Sequence, residues 1–140
     1  MVAYLDSSVV LRHILRGEAA ISQALACERV VSSELLEIEC RRVIQRYRLQ
    51  GELGDAGTAE ASERLDAVLS GISLIALSNS VKRRAMGAFP VSVKTLDALH
   101  LASALVLAEK LGEEQLLLFS HDESMNRCAR VLGFAAPLGS

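Results

Sequence analysis

The feature that most constrains this chain is a stretch of three helical turns, residues 95–105, whose apolar side chains would point in nearly every direction from a helix axis. We predict a helix over residues 95–111, and a helix that is apolar on all sides is usually buried. Asp97 nevertheless lies in its first turn. This acid therefore either caps the helix or faces something positively charged.

Composition limits the class of protein. The chain has 140 residues, 51% of them hydrophobic, which predicts a single domain over residues 1–140 with a sizeable core. No apolar run approaches the roughly 18–20 residues of a membrane span, and the N-terminal residues lack a basic leader, so we expect no signal peptide. Three widely spaced cysteines are typical of packing residues in a reducing cytoplasm. A net charge of −2 is unlike the strongly basic nucleic-acid binders, although a local basic rim is compatible with it.

Short apolar runs alternate with helical patterns along the chain. The predicted strands cover residues 2–5, 30–31, 72–77, 115–120 and, at an edge, 134–136. The predicted helices cover residues 8–16, 18–27, 34–49, 55 or 58 to 69, a basic segment around 82–84, 95–111 and 123–132, with a loose tail at 137–140. This order predicts an α/β fold of three layers, in which a parallel sheet of about five strands lies between helices.

Three acids from distant parts of the sequence are predicted at one edge of that sheet. Asp6 directly follows the first strand, Asp122 closely follows the fourth, and Asp97 lies at the start of the apolar helix. In parallel sheets with helical crossovers, sites form outside the carboxyl ends of the strands, where the following helices begin.

The long helix over residues 34–49 supplies a fourth acid. Its predicted inward stripe is formed by Leu36, Cys40, Val43 and Tyr47. Glu39 lies on the shoulder of that stripe, whereas Glu34 and Glu37 lie further from it. Because acids are rarely turned toward a core without a partner, Glu39 is the acid of this helix that we expect to face the site.

Each acid also has a purely structural interpretation. Asp6 and Asp122 could cap helices, and Asp97 could benefit from the helix dipole by about 0.3–1 kcal/mol. His100, one turn after Asp97, either orients that acid or packs in the core. If the four acids meet, however, two carboxylates about 4 Å apart repel by roughly 4 kcal/mol at an effective dielectric constant of 20, so cations are needed. Oxygen ligands favour Mg²⁺, with Mn²⁺ as a substitute, over zinc.

Four segments together resemble the motifs of PIN-domain ribonucleases, and most closely the VapC toxins of bacterial toxin–antitoxin pairs. The segments are YLDSS at 4–8, residues 33–39 followed by the arginines at 41–42, LDALHLA at 96–102 and SHD at 120–122. The resemblance implies a metal site formed by Asp6, Glu39, Asp97 and Asp122. It also implies that Ser8 is a polar residue that holds a carboxylate or a water on the metal, and we count Ser8 among the candidate substrate-binding residues. It also implies a homodimer and a cognate antitoxin protein. Ser120 stands where the family often has threonine, and His121 where it often has an apolar residue.

The resulting hypothesis is a cytoplasmic, Mg²⁺-dependent endoribonuclease that needs no side-chain nucleophile, because a metal ion can activate water and steady the leaving oxygen. Arg42 and Arg46 border Glu39 on the long helix and are candidate contacts for RNA phosphates, or simply parts of a solvated face. With five aromatic residues and no tryptophan, a base-stacking platform is not expected.

Other functions fit the pattern less well. A catalytically silent, PIN-like protein-binding scaffold is the main alternative. A phosphoacceptor signalling domain needs an aspartate at the end of the third strand, where this chain has Leu77, Ser78 and Asn79. A dinucleotide-binding enzyme needs a Gly-x-Gly-x-x-Gly motif after the first strand, and none is present.

Overall fold

The structure is a computed structural model that describes residues 1–112 and 114–139. Across those two ranges the chain forms four strands and seven helices. In chain order they are β1 (Val2–Leu5), α1 (Ser7–Arg16), α2 (Ile21–Leu25), β2 (Arg29–Ser33), α3 (Leu35–Leu49), α4 (Asp55–Ser70), β3 (Ser73–Ile75), α5 (Asn79–Ala85), α6 (Thr95–Leu111), β4 (Leu116–Phe119) and α7 (Glu123–Val131).

The strands form one parallel sheet in the order β3-β2-β1-β4. Leu5 pairs with Phe119 at the end of β1 and β4, and Ser33 pairs with Ile75 at the end of β2 and β3. The carboxyl ends of neighbouring strands therefore meet at a single edge. The predicted α/β class with a parallel sheet between helices is confirmed, although the sheet described here has four strands where about five were predicted.

Strand β1 shows why helices cover both faces of the sheet. Its four residues are fully buried, and successive side chains point to opposite faces. Ala3 and Leu5 join a core cluster with α1, α3 and α4, whereas Val2 and Tyr4 join a second cluster with α6 and α7. The alternation therefore places Tyr4 on the face covered by α6.

The prediction of an edge strand at 134–136 is wrong, because this segment forms only an isolated bridge. Ala135 makes one parallel bridge to Leu117, and its carbonyl oxygen accepts a hydrogen bond from the Leu118 amide at 2.9 Å. Pro137 follows after one residue and has no amide hydrogen to continue a ladder. The tail also differs from prediction, because Leu138 packs against the first core cluster. Ser140 lies outside the described residues.

Strand β2 is longer and β3 shorter than predicted. Ser32 and Ser33, which lie beyond the predicted strand at 30–31, continue the ladder with β3, and Ser33 Oγ also accepts from the Leu35 amide at 3.1 Å. Strand β3 stops at Ile75 because its partner stops at Ser33. Beyond the end of β3, the Leu77 amide donates a hydrogen bond to the Glu34 carboxylate at 2.6 Å.

Helix α2 is shorter than the predicted 18–27 because Glu18 belongs to the turn that ends α1. Gly17 adopts φ 69°, a left-handed conformation that suits glycine. Its amide bonds the His13 carbonyl at 2.9 Å, and the Glu18 amide bonds the Arg12 carbonyl at 3.3 Å. These bonds satisfy the last carbonyls of α1 and delay the start of α2 to Ile21.

The two helices that carry the candidate acids are buried less completely than predicted. Helix α6 buries the middle of its sequence, but Leu96 is 47% exposed, so the helix is not buried on all sides. In α3 the buried residues are Leu36, Cys40 and Ile44, while Val43 and Tyr47 are half-buried.

In the part of the chain that the structure describes, no helix combines the length and apolar character needed to cross a membrane.

Candidate functional site at the carboxyl edge of the sheet

Asp6 is held by two serine hydroxyls at the carboxyl end of β1. Ser8 Oγ and Ser120 Oγ each donate a hydrogen bond to Asp6 Oδ2 at 2.8 Å. The same hydroxyls accept from backbone amides of the loop after β4, Ser8 from His121 and Ser120 from Asp122, both at 2.9 Å. Asp6 is 4% exposed and occupies the N-cap position of α1 without a side-chain cap bond. The capping interpretation of its carboxylate is therefore wrong.

Glu39 lies in the second turn of α3, and its side chain is 14% exposed. His100 Nε2 lies 2.6 Å from Glu39 Oε1, and Ser7 Oγ donates to Glu39 Oε2 over a longer 3.4 Å. His100 Nε2 also lies 4.0 Å from Asp6 Oδ1. The histidine thus brings an acid of α3 close to the acid that follows β1.

His100 is fully buried, and both ring nitrogens have partners. Nδ1 lies 2.8 Å from Tyr4 Oη, and Nε2 contacts Glu39. The core-packing interpretation is confirmed, and the alternative, in which His100 orients Asp97, is wrong, since the described bonds of the ring go to Tyr4 and Glu39 and none goes to Asp97. Burial lowers the pKa of His100, but the hydrogen bond to Glu39 and the charges of Asp6 and Asp97 outweigh it, so that the pKa is raised.

The pKa of Asp97 reflects its burial and the charges around it. Its pKa is raised from 3.8 to about 6, first by burial and then by the negative charges of Asp6, Asp122 and Glu39, while His100 acts in the opposite direction. A carboxyl group feels such repulsion only when the other acids are near it. Asp97 therefore lies within electrostatic reach of the other three acids predicted from the sequence.

Asp122 has a structural role as well as a charge. It is the N-cap of α7, and its Oδ1 accepts a hydrogen bond from the Met125 amide at 2.9 Å. The capping interpretation is confirmed for this acid. Its side chain is exposed, and its charge still contributes to the raised pKa of Asp97.

The chemistry of the four acids suits a hard divalent cation, although their positions do not form a complete metal site. Within residues 1–112 and 114–139, no group of three His, Cys, Asp or Glu side chains is arranged so that it could hold an ion as it stands. Each of Asp6, Glu39 and Asp122 already has a hydrogen-bonding partner, which is typical of carboxylates that are oriented before they ligate. The donor atoms are carboxylate oxygens, and the raised pKa of Asp97 marks an excess of negative charge that a cation would relieve.

Cys40, next to Glu39 on α3, does not offer a nucleophile. Burial, followed by the charges of Glu39 and Asp6, raises the pKa of the Cys40 thiol to about 12, so the thiol stays protonated at neutral pH. All three cysteines are free, and Cys40 and Cys128 are buried, which agrees with the predicted packing role.

The predicted RNA-binding residues occupy different positions. Ser8 lies inside the site as a partner of Asp6. Arg42 and Arg46 are exposed on α3 and line a surface depression of about 430 Å³, and the Arg46 guanidinium lies 5.9 Å from the centre of the Tyr47 ring. Both arginines follow Glu39 along the same helix, and their contact with RNA stays a prediction.

Sequence reasoning missed Ser120 and Tyr4 as partners of the site. Ser120 follows β4 as Asp6 follows β1, and the pairing of Leu5 with Phe119 makes the two residues neighbours. That register depends on strand order, which no local pattern reveals. The hydroxyl of Tyr4 was hidden because an apolar strand that contains one tyrosine reads simply as core.

Comparisons with known proteins agree with this architecture. The profile of the PIN domain family matches residues 3–131. Ribonuclease VapC46 of Mycobacterium tuberculosis is 31% identical over 135 residues, which cover 94% of this chain and 93% of that protein. The crystal structure of VapBC2 from Rickettsia felis bound to a DNA fragment from their promoter shares the fold, with a TM-score of 0.68, 13% identity and 97% coverage of both chains. The resemblance found in the motifs is thereby confirmed, and the chain belongs to the PIN-domain family, with a VapC ribonuclease among its relatives.

Proposed function

We propose that this protein is a divalent-metal-dependent endoribonuclease and the toxin of a type II toxin–antitoxin pair. The observation that carries the proposal is the gathering of Asp6, Glu39, Asp97 and Asp122 at one edge of the sheet, with the pKa of Asp97 raised to about 6 among them. The similarity to Ribonuclease VapC46 supports RNA as the substrate. Mg²⁺ is the proposed ion and Mn²⁺ its substitute, because all four donors are hard oxygen ligands.

In this mechanism the protein supplies position and charge. Ser8 and Ser120 hold Oδ2 of Asp6 through hydrogen bonds, so this carboxylate would be oriented to hold the ion. Asp97, Glu39 and Asp122 would complete the set of ligands. When bound, a divalent ion polarises the scissile phosphate and lowers the pKa of the attacking water. With the ion supplying that activation, no protein side chain would be needed as the nucleophile.

RNA is expected to approach from the side of α3. Arg42 and Arg46 are exposed there and would bind backbone phosphates, which carry no sequence information by themselves. Ser8 was predicted to contact substrate or a carboxylate, and its bonds to Asp6 and His121 favour the carboxylate-holding role.

The proposed partners are a VapB-like antitoxin and a second copy of this chain in a cytoplasmic homodimer. A depression of about 770 Å³ beside the first turn of α6 supports antitoxin binding, since Phe89, Val91 and Val93 contribute apolar walls and Ala98 lies next to Asp97. An amphipathic helix lying there could extend a basic side chain to the acids. The VapBC2 structure, which shares the fold, is a relative described as bound to its promoter DNA.

Cleavage of RNA tests the enzymatic part. Asp6→Asn and Asp97→Asn keep the size of each side chain and remove one charged ligand, so we expect each to lower Mg²⁺-dependent cleavage at least 100-fold with the circular dichroism spectrum unchanged. Asp55→Asn, an exposed acid in the first turn of α4, is the matched control and should cleave as the wild type does. Undiminished cleavage by either site variant would refute the assignment, and an inactive wild type would favour a silent scaffold.

Growth of an expressing bacterium tests the toxin role. We expect expression of this chain alone to arrest growth, and co-expression of the neighbouring upstream gene to restore it. Asp97→Asn should be harmless at the same expression level because it lacks cleavage. Normal growth with active, well-expressed wild-type protein would argue against a toxin, and sequencing RNA ends after brief induction would identify the target.

A further inference from the structure

Tyr4 and His100 form a buried pair between the sheet and Glu39. We propose that this pair is a positioning device, in which the Tyr4 hydroxyl, acting through the His100 ring, holds the Glu39 carboxylate beside Asp6 and so sets the affinity of the site for a divalent cation. The inference rests on the proposed function, because it takes Glu39 to be a ligand.

The geometry fixes the ring at both ends. Tyr4 Oη lies 2.8 Å from Nδ1 and Glu39 Oε1 lies 2.6 Å from Nε2, and His100 has no exposed surface. Any rotation of the ring about its side-chain bonds would break both contacts within the core. The 2.6 Å separation is short for a nitrogen–oxygen hydrogen bond, and a hydrogen bond to an ionised acceptor is stronger than a neutral one.

The anchor of the pair is the centre of the sheet. Tyr4 is fully buried and pairs with Val31 of β2 on one side and Leu118 of β4 on the other. Its ring meets the His100 ring edge-on, with centroids 5.8 Å apart and planes at 80°. Through His100 of α6, the position of Glu39 on α3 is thus linked to β1, the strand that ends just before Asp6.

The device works in either protonation state of the histidine. An ionised carboxylate can only accept, so Nε2 donates to Glu39 in both the neutral and the charged ring. Tyr4 Oη donates to Nδ1 of the neutral ring and accepts from Nδ1 of the charged ring. The orientation of Glu39 therefore depends on the tyrosine oxygen and not on the charge of His100.

Other contacts are too weak to replace the pair. Ser7 Oγ lies 3.4 Å from Glu39 Oε2, near the limit of a hydrogen bond. Asp6 is also negative, and its Oδ1 is 4.0 Å from the same His100 nitrogen that Glu39 binds. Without the histidine, repulsion by Asp6 would turn the half-buried Glu39 toward solvent and away from the shared position.

A double-mutant cycle measured by isothermal titration with Mn²⁺ separates positioning from general support of the core. Tyr4→Phe removes one hydroxyl, and we expect it to weaken Mn²⁺ binding about 10-fold, as loss of a residue that orients a ligand typically does. In a Glu39→Gln background the same change should alter affinity less than 2-fold. The control is Tyr47→Phe, the other tyrosine of the chain, about 12 Å along α3 from Glu39, which should bind as the wild type does.

The outcomes distinguish this inference from the proposed function. Wild-type affinity in Tyr4→Phe, or an equal loss in both backgrounds, would overturn the positioning role and leave the proposed nuclease intact. No Mn²⁺ binding by the wild type would overturn both the inference and the metal dependence.

A second measurement needs no metal. In ¹⁵N-histidine-labelled protein we expect the proton on His100 Nε2 to resonate far downfield, to disappear in Glu39→Gln and to shift in Tyr4→Phe but not in Tyr47→Phe. An unchanged resonance in Tyr4→Phe would show that the hydroxyl does not govern the contact with Glu39 and would overturn the proposal.

Discussion

The surroundings of Asp97 disfavour the ionised form of its carboxyl group. Burial and the charges of Asp6 and Asp122 raise its pKa, and no strong partner in the described residues offsets them apart from the weaker effect of His100. A carboxylate kept in such a place is more useful for binding a cation than for stabilising the fold. Removing its charge should therefore stabilise the metal-free protein.

Asp97→Asn is predicted to raise the melting temperature in EDTA by about 2–5 °C at pH 7, the shift that about 1 kcal/mol produces in a domain of this size. The folded pKa of about 6 exceeds the ordinary aspartate value of 3.8, so between these pH values the folded state holds more protons than the unfolded state. Stability of the wild type should fall as the pH rises from about 4 to about 6, and the advantage of Asp97→Asn should grow over the same range.

Differential scanning calorimetry in metal-free buffer from pH 4 to 8 checks this prediction. Asp55→Asn, far from the site on α4, should show no such pH-dependent gain. A melting temperature for Asp97→Asn that stays below the wild-type value at pH 7 would mean that the charge of Asp97 stabilises the fold.

Single residues also mark the limit of sequence reasoning. Glu39 was expected to face the fold because it lies on the shoulder of the apolar stripe, and the structure places it half-buried against His100. The alternative in which His100 orients Asp97 is wrong, because helical spacing relates these two residues whereas the contact that forms crosses from α6 to α3. Tertiary contacts of this kind depend on packing that a one-dimensional pattern does not encode.

At the scale of elements, helix α7 combines a structural and a candidate functional role in one residue. Asp122 caps the helix through Met125 and adds charge beside Asp97. Aspartate and asparagine are comparable N-caps, whereas alanine cannot cap. The two roles can therefore be separated by substitution.

Asp122→Ala is predicted to lower the free energy of unfolding by about 1 kcal/mol through loss of the cap, and Asp122→Asn to leave it near the wild-type value. Both variants should bind Mn²⁺ more weakly, because both lack the carboxylate. Urea denaturation measures the loss of stability in Asp122→Ala. The control is Ser78→Ala, which removes the side-chain cap bound to the Val81 amide in α5, away from the acids. Equal destabilisation by Asp122→Asn and Asp122→Ala would show that charge rather than capping stabilises α7.

Element boundaries were predictable where the signal is local. The apolar runs located β1 and β4, and the basic segment around residues 82–84 was correctly expected to be helical. The errors at β2, β3 and 134–136 arise from pairing partners: β3 ends where β2 ends, and the segment before Pro137 makes a single bridge. Strand length in a parallel sheet is decided by neighbours that are distant in sequence.

For the whole molecule, the site lies where the two helical layers meet the carboxyl edge of the sheet. Helix α3 belongs to one core cluster and α6 to the other, and the contact of Glu39 with His100 joins them beyond the strand ends. Alternation of strands and helices was enough to predict this edge. The hydrogen bonds of Ser120 and Tyr4 beneath the acids required the three-dimensional structure, whereas the family motif already implied the role of Ser8.

The central claim is that Asp6, Glu39, Asp97 and Asp122 jointly bind one kind of divalent ion. Isothermal titration of metal-free protein with Mn²⁺ tests it most directly, with Asp97→Asn as the site variant and Asp55→Asn as the control. We predict saturable binding by the wild type and by Asp55→Asn, and at least 10-fold weaker binding by Asp97→Asn. Equal heats for the wild type and Asp97→Asn would contradict the claim.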